Sequence, residues 1–194
     1  VILHGDRKIL GIYSGVIVPQ LIQKDIPLNT PSEFIVPRKW RVQAHGQRII
    51  LVKGPNESAE HVLMKAFLWA LYLPQYPGLT VEIRVGDRYK PDVVALDDSQ
   101  PPKPLFWGES GQVSVAKIRS LARRYRSTHF AIAKWAMNLD PLAKIVREAL
   151  NGAQHSAPFD LLRFPPDGAA RFIDSDDHLR LTHDDIEWMR FYAE

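Results

Sequence analysis

The chain has 194 residues, 45% of them apolar and 24% charged, with a formal net charge of +3 and no cysteine. That length suits one substantial core, and the missing cysteines exclude a disulfide framework, a Cys-ligated zinc centre and a thiol nucleophile. No run of 18 uncharged apolar residues occurs, so no membrane span is expected and the composition fits a cytoplasmic protein, while the small basic excess permits a nucleic-acid partner without requiring one.

Residues 8–53 read as a layer of strands. Ile9–Val18 is apolar and β-branched and is ended by Pro19; Phe34–Val36 is stopped by Pro37. Trp40–Ala44 and Arg48–Lys53 flank His45-Gly46-Gln47, a tight hairpin with Gly in the turn. A helix then starts near Asn56 or Ser58, either of which can cap it, with Leu63, Ala66, Phe67, Ala70 and Leu71 on one face. Glu60 lies on or beside that face; as a first-turn acid it also complements the helix dipole, which is its plainer role. Pro74 and Pro77-Gly78 end the helix, and residues 81–87 alternate as a half-exposed strand.

Two short apolar runs follow, Tyr89–Leu96 and Leu105–Gln112, joined by the turn-rich segment 97–104. If Leu96 faces Leu105 in an antiparallel pair, Asp92 stands directly opposite Glu109, with Cα atoms about 4.5–5.5 Å apart. Two such carboxylates repel unless a proton or a cation intervenes, and a divalent metal answers that need. The plainer alternative is a pair of strand-end acids neutralised by Arg88, Lys90 or Lys117. Pro91 has no N–H for a ladder and so marks a strand start. Ser114 can cap a helix reaching residue 126, with Ile118, Leu121, Ala122 and Tyr125 inward and Lys117, Arg119, Arg123, Arg124 and Arg126 making it basic. Such a face is either solvated or a phosphate-binding surface. Lys117 is four residues before Leu121, so its stem can lie along the core. A buried strand at His129–Trp135, a helix at Leu142–Leu150 opened by Pro141, a strand at Phe159–Phe164 and a capped helix from Thr182 to Tyr192 complete the reading.

The Pro-Asp of the first strand and the Gly-Glu-Ser-Gly of the second resemble the PD-(D/E)XK nuclease superfamily, as does the order helix, three strands, helix, strand over residues 57–135. Glu-x-Gly-Gln followed by a basic helix is most similar to YaeQ-type members. The resemblance implies a mixed α/β (α+β) fold: a restriction-endonuclease-like αβββαβ core whose central sheet is flanked by helices. To this core are added the N-terminal all-β extension (8–53) and C-terminal helix and strand additions (136–194), all in one domain of residues 1–194. It implies a nuclease that hydrolyses phosphodiester bonds with Mg²⁺ or Mn²⁺ held by Asp92 and Glu109, the Ser110 carbonyl and Glu60 as further ligands, and Gln112 fixing substrate or water. Arg119, Arg123 and Arg124 would bind nucleic acid, DNA ahead of RNA, and a homodimer or larger complex is compatible with it. One position departs: the superfamily's Lys, two residues after Glu109, is Gly111 here, and Lys117 is the candidate replacement.

Rival chemistries fit less well. Gly108–Gln112 lacks the final Gly of an esterase nucleophile elbow. His178 and His183 are five apart, off zinc-ligand spacing. Asp174, Asp176 and Asp177 lack the Gly and distal Glu of a calcium loop and read as a solvated turn. The alternative of another class is a catalytically inactive nucleic-acid-binding or protein-interaction module that keeps the nuclease fold, for which Gly111 speaks.

Overall fold

A computed structural model of the chain describes residues 12–13, 16–17 and 34–193. The chain forms two compact units, Val1–Ser32 and Glu33–Glu194. In the first, β1 (Ile12–Tyr13) pairs antiparallel with β2 (Val16–Ile17), so the single strand expected there is a hairpin of two short strands. The remainder of Ile9–Val18 lies outside the described residues.

The second unit opens with a hairpin of β3 (Lys39–Ala44) and β4 (Gln47–Val52), joined by His45 and Gly46. Both turn residues have positive φ, 48° and 77°, the conformation that lets a two-residue loop follow the twist of its strands. Residues 34–36, expected as a strand, are irregular, though Val36 is buried and Phe34 packs on Trp40. Helix α1 (Ala59–Tyr72) is capped by Ser58, whose Oγ accepts from the His61 N–H at 3.2 Å. Every residue from Val62 to Tyr72 is buried, so α1 is wrapped by protein on all sides rather than amphipathic.

Strands β5 (Thr80–Val81), β6 (Val93–Leu96) and β7 (Pro104–Ser110) come next, then α2 (Val115–Arg124), β8 (His129–Trp135), α3 (Asp140–Leu150) and β9 (Phe159–Phe164). The short helix α4 (Gly168–Phe172) and β10 (Glu187–Phe191) complete the unit. The strands form one six-stranded sheet in the order β10-β9-β8-β7-β6-β5, with β7, β8 and β9 parallel and the outer pairings antiparallel. The fold is therefore mixed α/β: a mixed sheet flanked by helices, with the expected order helix, three strands, helix, strand, and an N-terminal strand hairpin. On one face α1, the β3–β4 hairpin and α4 pack over Val93, Phe106, Ala131 and Leu162; on the other α2 and α3 cover Trp107, Phe130, Ile132 and Leu161. Among the described residues no helix is long and apolar enough to cross a membrane.

Three segments differ from expectation. The strand expected at 81–87 stops at Val81, because Glu82 takes positive φ (57°) and turns its carboxylate to the buried Lys65. The helix expected from Thr182 is one 3₁₀ turn, His183–Asp185, followed by β10. The Thr182–Asp185 capping box does form, but Trp188 joins the core on the α1 side while Met189 and Phe191 join the other. That alternation has the period of a strand, and pairing with β9 satisfies it. Helix α4 was not anticipated.

A polar network is built into the α1 side. Asp160 of β9, wholly buried, accepts from the Tyr72 hydroxyl (2.6 Å), His129 Nε2 (2.7 Å) and both Nε and Nη2 of Arg190 (2.8 Å each). Burial alone would raise its pKa, but these donors outweigh it and hold the carboxyl at about 2.

Candidate functional site

The site is set by how β6 meets β7. Val93 pairs with Gly108, Val94 with Trp107 and Ala95 with Phe106, the register expected from sequence; a bulge after Ala95 then shifts Leu96 to Pro104 instead of Leu105. Continued one residue, this register sets Asp92 opposite Glu109, and the Asp92 N–H donates to the Gly108 carbonyl at 3.1 Å. Asp92 lies just before β6 begins, so its carboxylate reaches round the strand end. Its Oδ2 accepts from the Ser110 N–H at 2.7 Å, and its Oδ1 is 3.5 Å from His61 Nε2 on α1.

Glu109 is held from the other side of the sheet. It is 6% exposed, and its Oε1 takes the Trp107 indole N–H and the Lys117 ammonium, each at 2.6 Å. Burial pushes its pKa up, Lys117 and Trp107 pull it down, and the charge of Asp92 adds to the upward push; the net shift is upward. Ser114 caps α2 by accepting from the Lys117 N–H at 3.2 Å, which fixes the helix start that presents Lys117.

Gly108 and Gly111 explain the local backbone. A Cβ at Gly108 would stand 3.2 Å from Val93 Cβ and the Phe106 ring and 3.4 Å from Leu68, so α1 rests directly on β7 there. Gly111 has φ +76°, and a Cβ would meet His61 Nδ1 at 3.4 Å. The missing Lys is therefore more than an exchanged side chain, since the chain turns at that position through a conformation that disfavours lysine.

Other expected site residues fall differently. Glu60 is exposed and answers to Ser58 and Lys53 rather than to Asp92. Gln112 is exposed, and the Ser110 hydroxyl is buried with no hydrogen-bond partner. Arg119 pairs with Glu148 of α3, and Arg124 with Asp87 at 2.6 Å, so both are tied into the protein; Arg123 is exposed. Asp174, Asp176 and His178 form the group of potential ligands found within 4.8 Å of one another among the described residues. Asp174 there accepts the Asp176 and His178 N–H groups and pairs with Arg180 at 3.1 Å, which is the hydrogen bonding of a turn.

Four residues escaped the sequence reading. His61 Nε2 lies 3.5 Å from Asp92 Oδ1 and from Glu57 Oε1. The hydrogen bond with Asp92 raises its pKa against the effect of burial. Lys65, 1% exposed, bridges Glu57 (2.6 Å) and Glu82, so a line of alternating charge runs from Asp92 into the α1 side. His61 and Lys65 are four apart on α1, and Glu57 stands four before His61, just ahead of the Ser58 cap, a spacing visible in the sequence. Lys134 of β8 is buried and donates to the Gly111 carbonyl; burial lowers its pKa.

In fold the chain is similar to two solved structures, both YaeQ proteins. The protein from Xanthomonas axonopodis pv. citri superposes with a TM-score of 0.51 at 15% identity, over 75% of this chain and 82% of that one. The protein from Pseudomonas syringae gives 0.52 at 14% identity, over 76% and 86%. The chain thus has a YaeQ-like fold. It matches no protein-family model and no curated protein.

Proposed function

We propose that this chain is a metal-dependent nuclease of the PD-(D/E)XK type. The observation that carries the reading is the register that sets Asp92 opposite Glu109 at the adjoining ends of β6 and β7, near enough for the charge of Asp92 to push the Glu109 pKa up. Glu109 has Oε1 engaged by Trp107 and Lys117, and Asp92 has Oδ2 engaged by Ser110 while its Oδ1 faces His61 Nε2 at 3.5 Å. The other oxygens, Asp92 Oδ1 and Glu109 Oε2, would hold Mg²⁺ or Mn²⁺, which favour carboxylates and keep several waters. When bound, such an ion lowers the pKa of a water and offsets charge on a phosphate.

The remaining roles belong to the chain itself. The Ser110 N–H and the Trp107 indole orient the two carboxylates, and the apolar surroundings of Glu109 keep bulk water away from its inner oxygen. Lys117, now paired with Glu109 at 2.6 Å, would offer its ammonium to a phosphate oxygen. Gln112, exposed just beyond β7, is placed to meet substrate. DNA, ahead of RNA, is the proposed polymer.

A second reading has its own support: the Lys117–Glu109 pair already neutralises one acid, and Gly111 gives no lysine in the usual place. In that case the chain is a nucleic-acid-binding module without catalysis. Cleavage of single- and double-stranded DNA and RNA with millimolar Mg²⁺ or Mn²⁺ decides between them. The nuclease reading expects wild type to cleave, Asp92→Asn to be inactive and to lose the metal-induced rise in melting temperature, and Lys117→Ala to keep that rise while losing cleavage. Equal metal shifts in wild type and Asp92→Asn, with no cleavage by either, would sink it.

A further inference from the structure

Three cations surround one aromatic ring beside the site. Arg88 Cζ lies 4.6 Å from the Tyr89 ring centroid, Lys117 Nζ 5.1 Å and Arg124 Cζ 5.9 Å. A ring quadrupole offsets little of the repulsion among them, about 0.5–1 kcal/mol per cation at exposed sites. Lys117 and Arg124 are neutralised by Glu109 and Asp87. Arg88 is not: it is exposed, and its contacts are neutral, the Tyr89 ring and the Ser120 hydroxyl at 3.2 Å. Among the described residues it has no acid partner, and neither do the exposed Arg84 and Arg123.

A guanidinium held in place by a ring and a hydroxyl has lost its side-chain freedom in advance, while most of its donors remain unused. That is the state in which Arg grips a phosphate with two parallel hydrogen bonds. An acid partner within the protein would cancel it, and none is provided among the described residues. The position is also telling, because Lys117 touches the same ring and reaches Glu109 at 2.6 Å.

We propose that Arg88, stacked on Tyr89 and pinned to Ser120, is a phosphate clamp that grips the nucleic-acid backbone next to Glu109. The choice of nucleic acid as ligand rests on the nuclease reading; the clamp itself rests on the geometry of Arg88. The contact carries no base information, so it sets affinity and the path of the strand rather than sequence preference. Tyr89 acts as a positioning residue.

The test is binding of labelled single- and double-stranded oligonucleotides to the full chain in EDTA, followed by fluorescence anisotropy across a salt series. Arg88→Ala should weaken binding severalfold on every sequence and reduce the salt slope by about one. Arg88→Lys should keep the slope but not the full affinity, since it retains the charge and loses the fork. Arg163→Ala, a change on β9 that removes the partner of Glu187 of β10, should bind as wild type does. Arg88→Ala binding like wild type overturns the clamp, and so does poly-glutamate displacing the oligonucleotide as well as unlabelled oligonucleotide does, because the ligand would then be an acidic peptide. Binding without divalent ions separates the two ideas. A wild type that binds through Arg88 and never cleaves sinks only the nuclease reading, and one that cleaves with Arg88→Ala unchanged in affinity sinks only the clamp.

Discussion

Lys117 offsets part of the cost of burying Glu109. A buried carboxylate without its cation is costly, and breaking such a pair by removing one member typically costs roughly 3–5 kcal/mol. Lys117→Met should therefore destabilise the protein at pH 7, by somewhat less than that range because Lys117 keeps 17% of its side chain exposed. The sign with pH is distinctive. Glu109 has a raised folded pKa, so its protonated form is favoured on folding, and stability falls as pH rises from the ordinary carboxylate value through the raised one. The deficit of Lys117→Met should shrink toward pH 4.5, and Glu109→Gln in the same background should recover much of it; chemical denaturation at pH 4.5 and pH 7 checks both. An equal deficit at the two pH values would mean that Lys117 stabilises through packing alone. Asp92, Glu109 and Lys117 were legible because strand register and i,i+4 spacing carry long side chains predictably. His61 offered only its four-residue spacing to Glu57 and Lys65, which does not point to Asp92, and Lys134 offered nothing, since a single Lys signals no site until the fold supplies its neighbours.

Helix α1 and strand β7 meet at Gly108, where Leu68 rests on the bare backbone two turns along from His61. Valine there would add atoms where Val93 and Phe106 already stand 3.2 Å from a bare Cβ. Overpacking of this kind costs about 1–3 kcal/mol and moves the softer partner. Gly108→Val should push α1 away at Leu68, carry His61 with the helix so that its pKa falls back toward its ordinary value, and leave the raised pKa of Glu109 nearly unchanged. NMR titration of the His61 ring and the Glu109 carboxyl measures both; if neither moved, the packing at Gly108 would not reach His61. Elements were read best where a local signal agreed with the tertiary setting. His129–Trp135 and Phe159–Phe164 are apolar runs covered on both faces, and the structure has strands with those bounds. Thr182–Tyr192 failed because a true capping box was followed by residues whose faces only the sheet could distinguish.

The whole molecule should be most stable near neutral pH. The His155 pKa is lowered, chiefly by burial, and the same holds for His183. Each binds its proton more readily in the unfolded chain, so stability falls as pH drops below 6.5. His61 has the opposite sign: its contribution is present below 6.5 and is lost as pH rises through its raised folded value. Asp160, at about 2 against an ordinary 3.8, contributes about 2 kcal/mol above pH 3.8 that disappears as pH falls through 2. His155 is 4% exposed, lies 5.5 Å from the Phe130 ring and has no hydrogen-bond partner at either ring nitrogen. His155→Leu should thus raise the melting temperature at pH 7 and flatten its decline between pH 7 and pH 5. A melting curve that fell as steeply as wild type would assign the acid sensitivity to His183. Such balances were beyond the sequence, because burial at 155 depends on β8, α2 and the loop before β9 together.

The Asp160 network also has an order in time. Tyr72, His129 and Asp160 leave the ribosome well before Arg190, so the nascent chain carries this carboxylate without its strongest counter-charge until β10 emerges. Closing the core around an uncompensated anion is unfavourable. Until β10 emerges, Tyr72 and His129 are its only partners in the network, and Arg190, the last of these residues in the chain, adds the two hydrogen bonds that complete it.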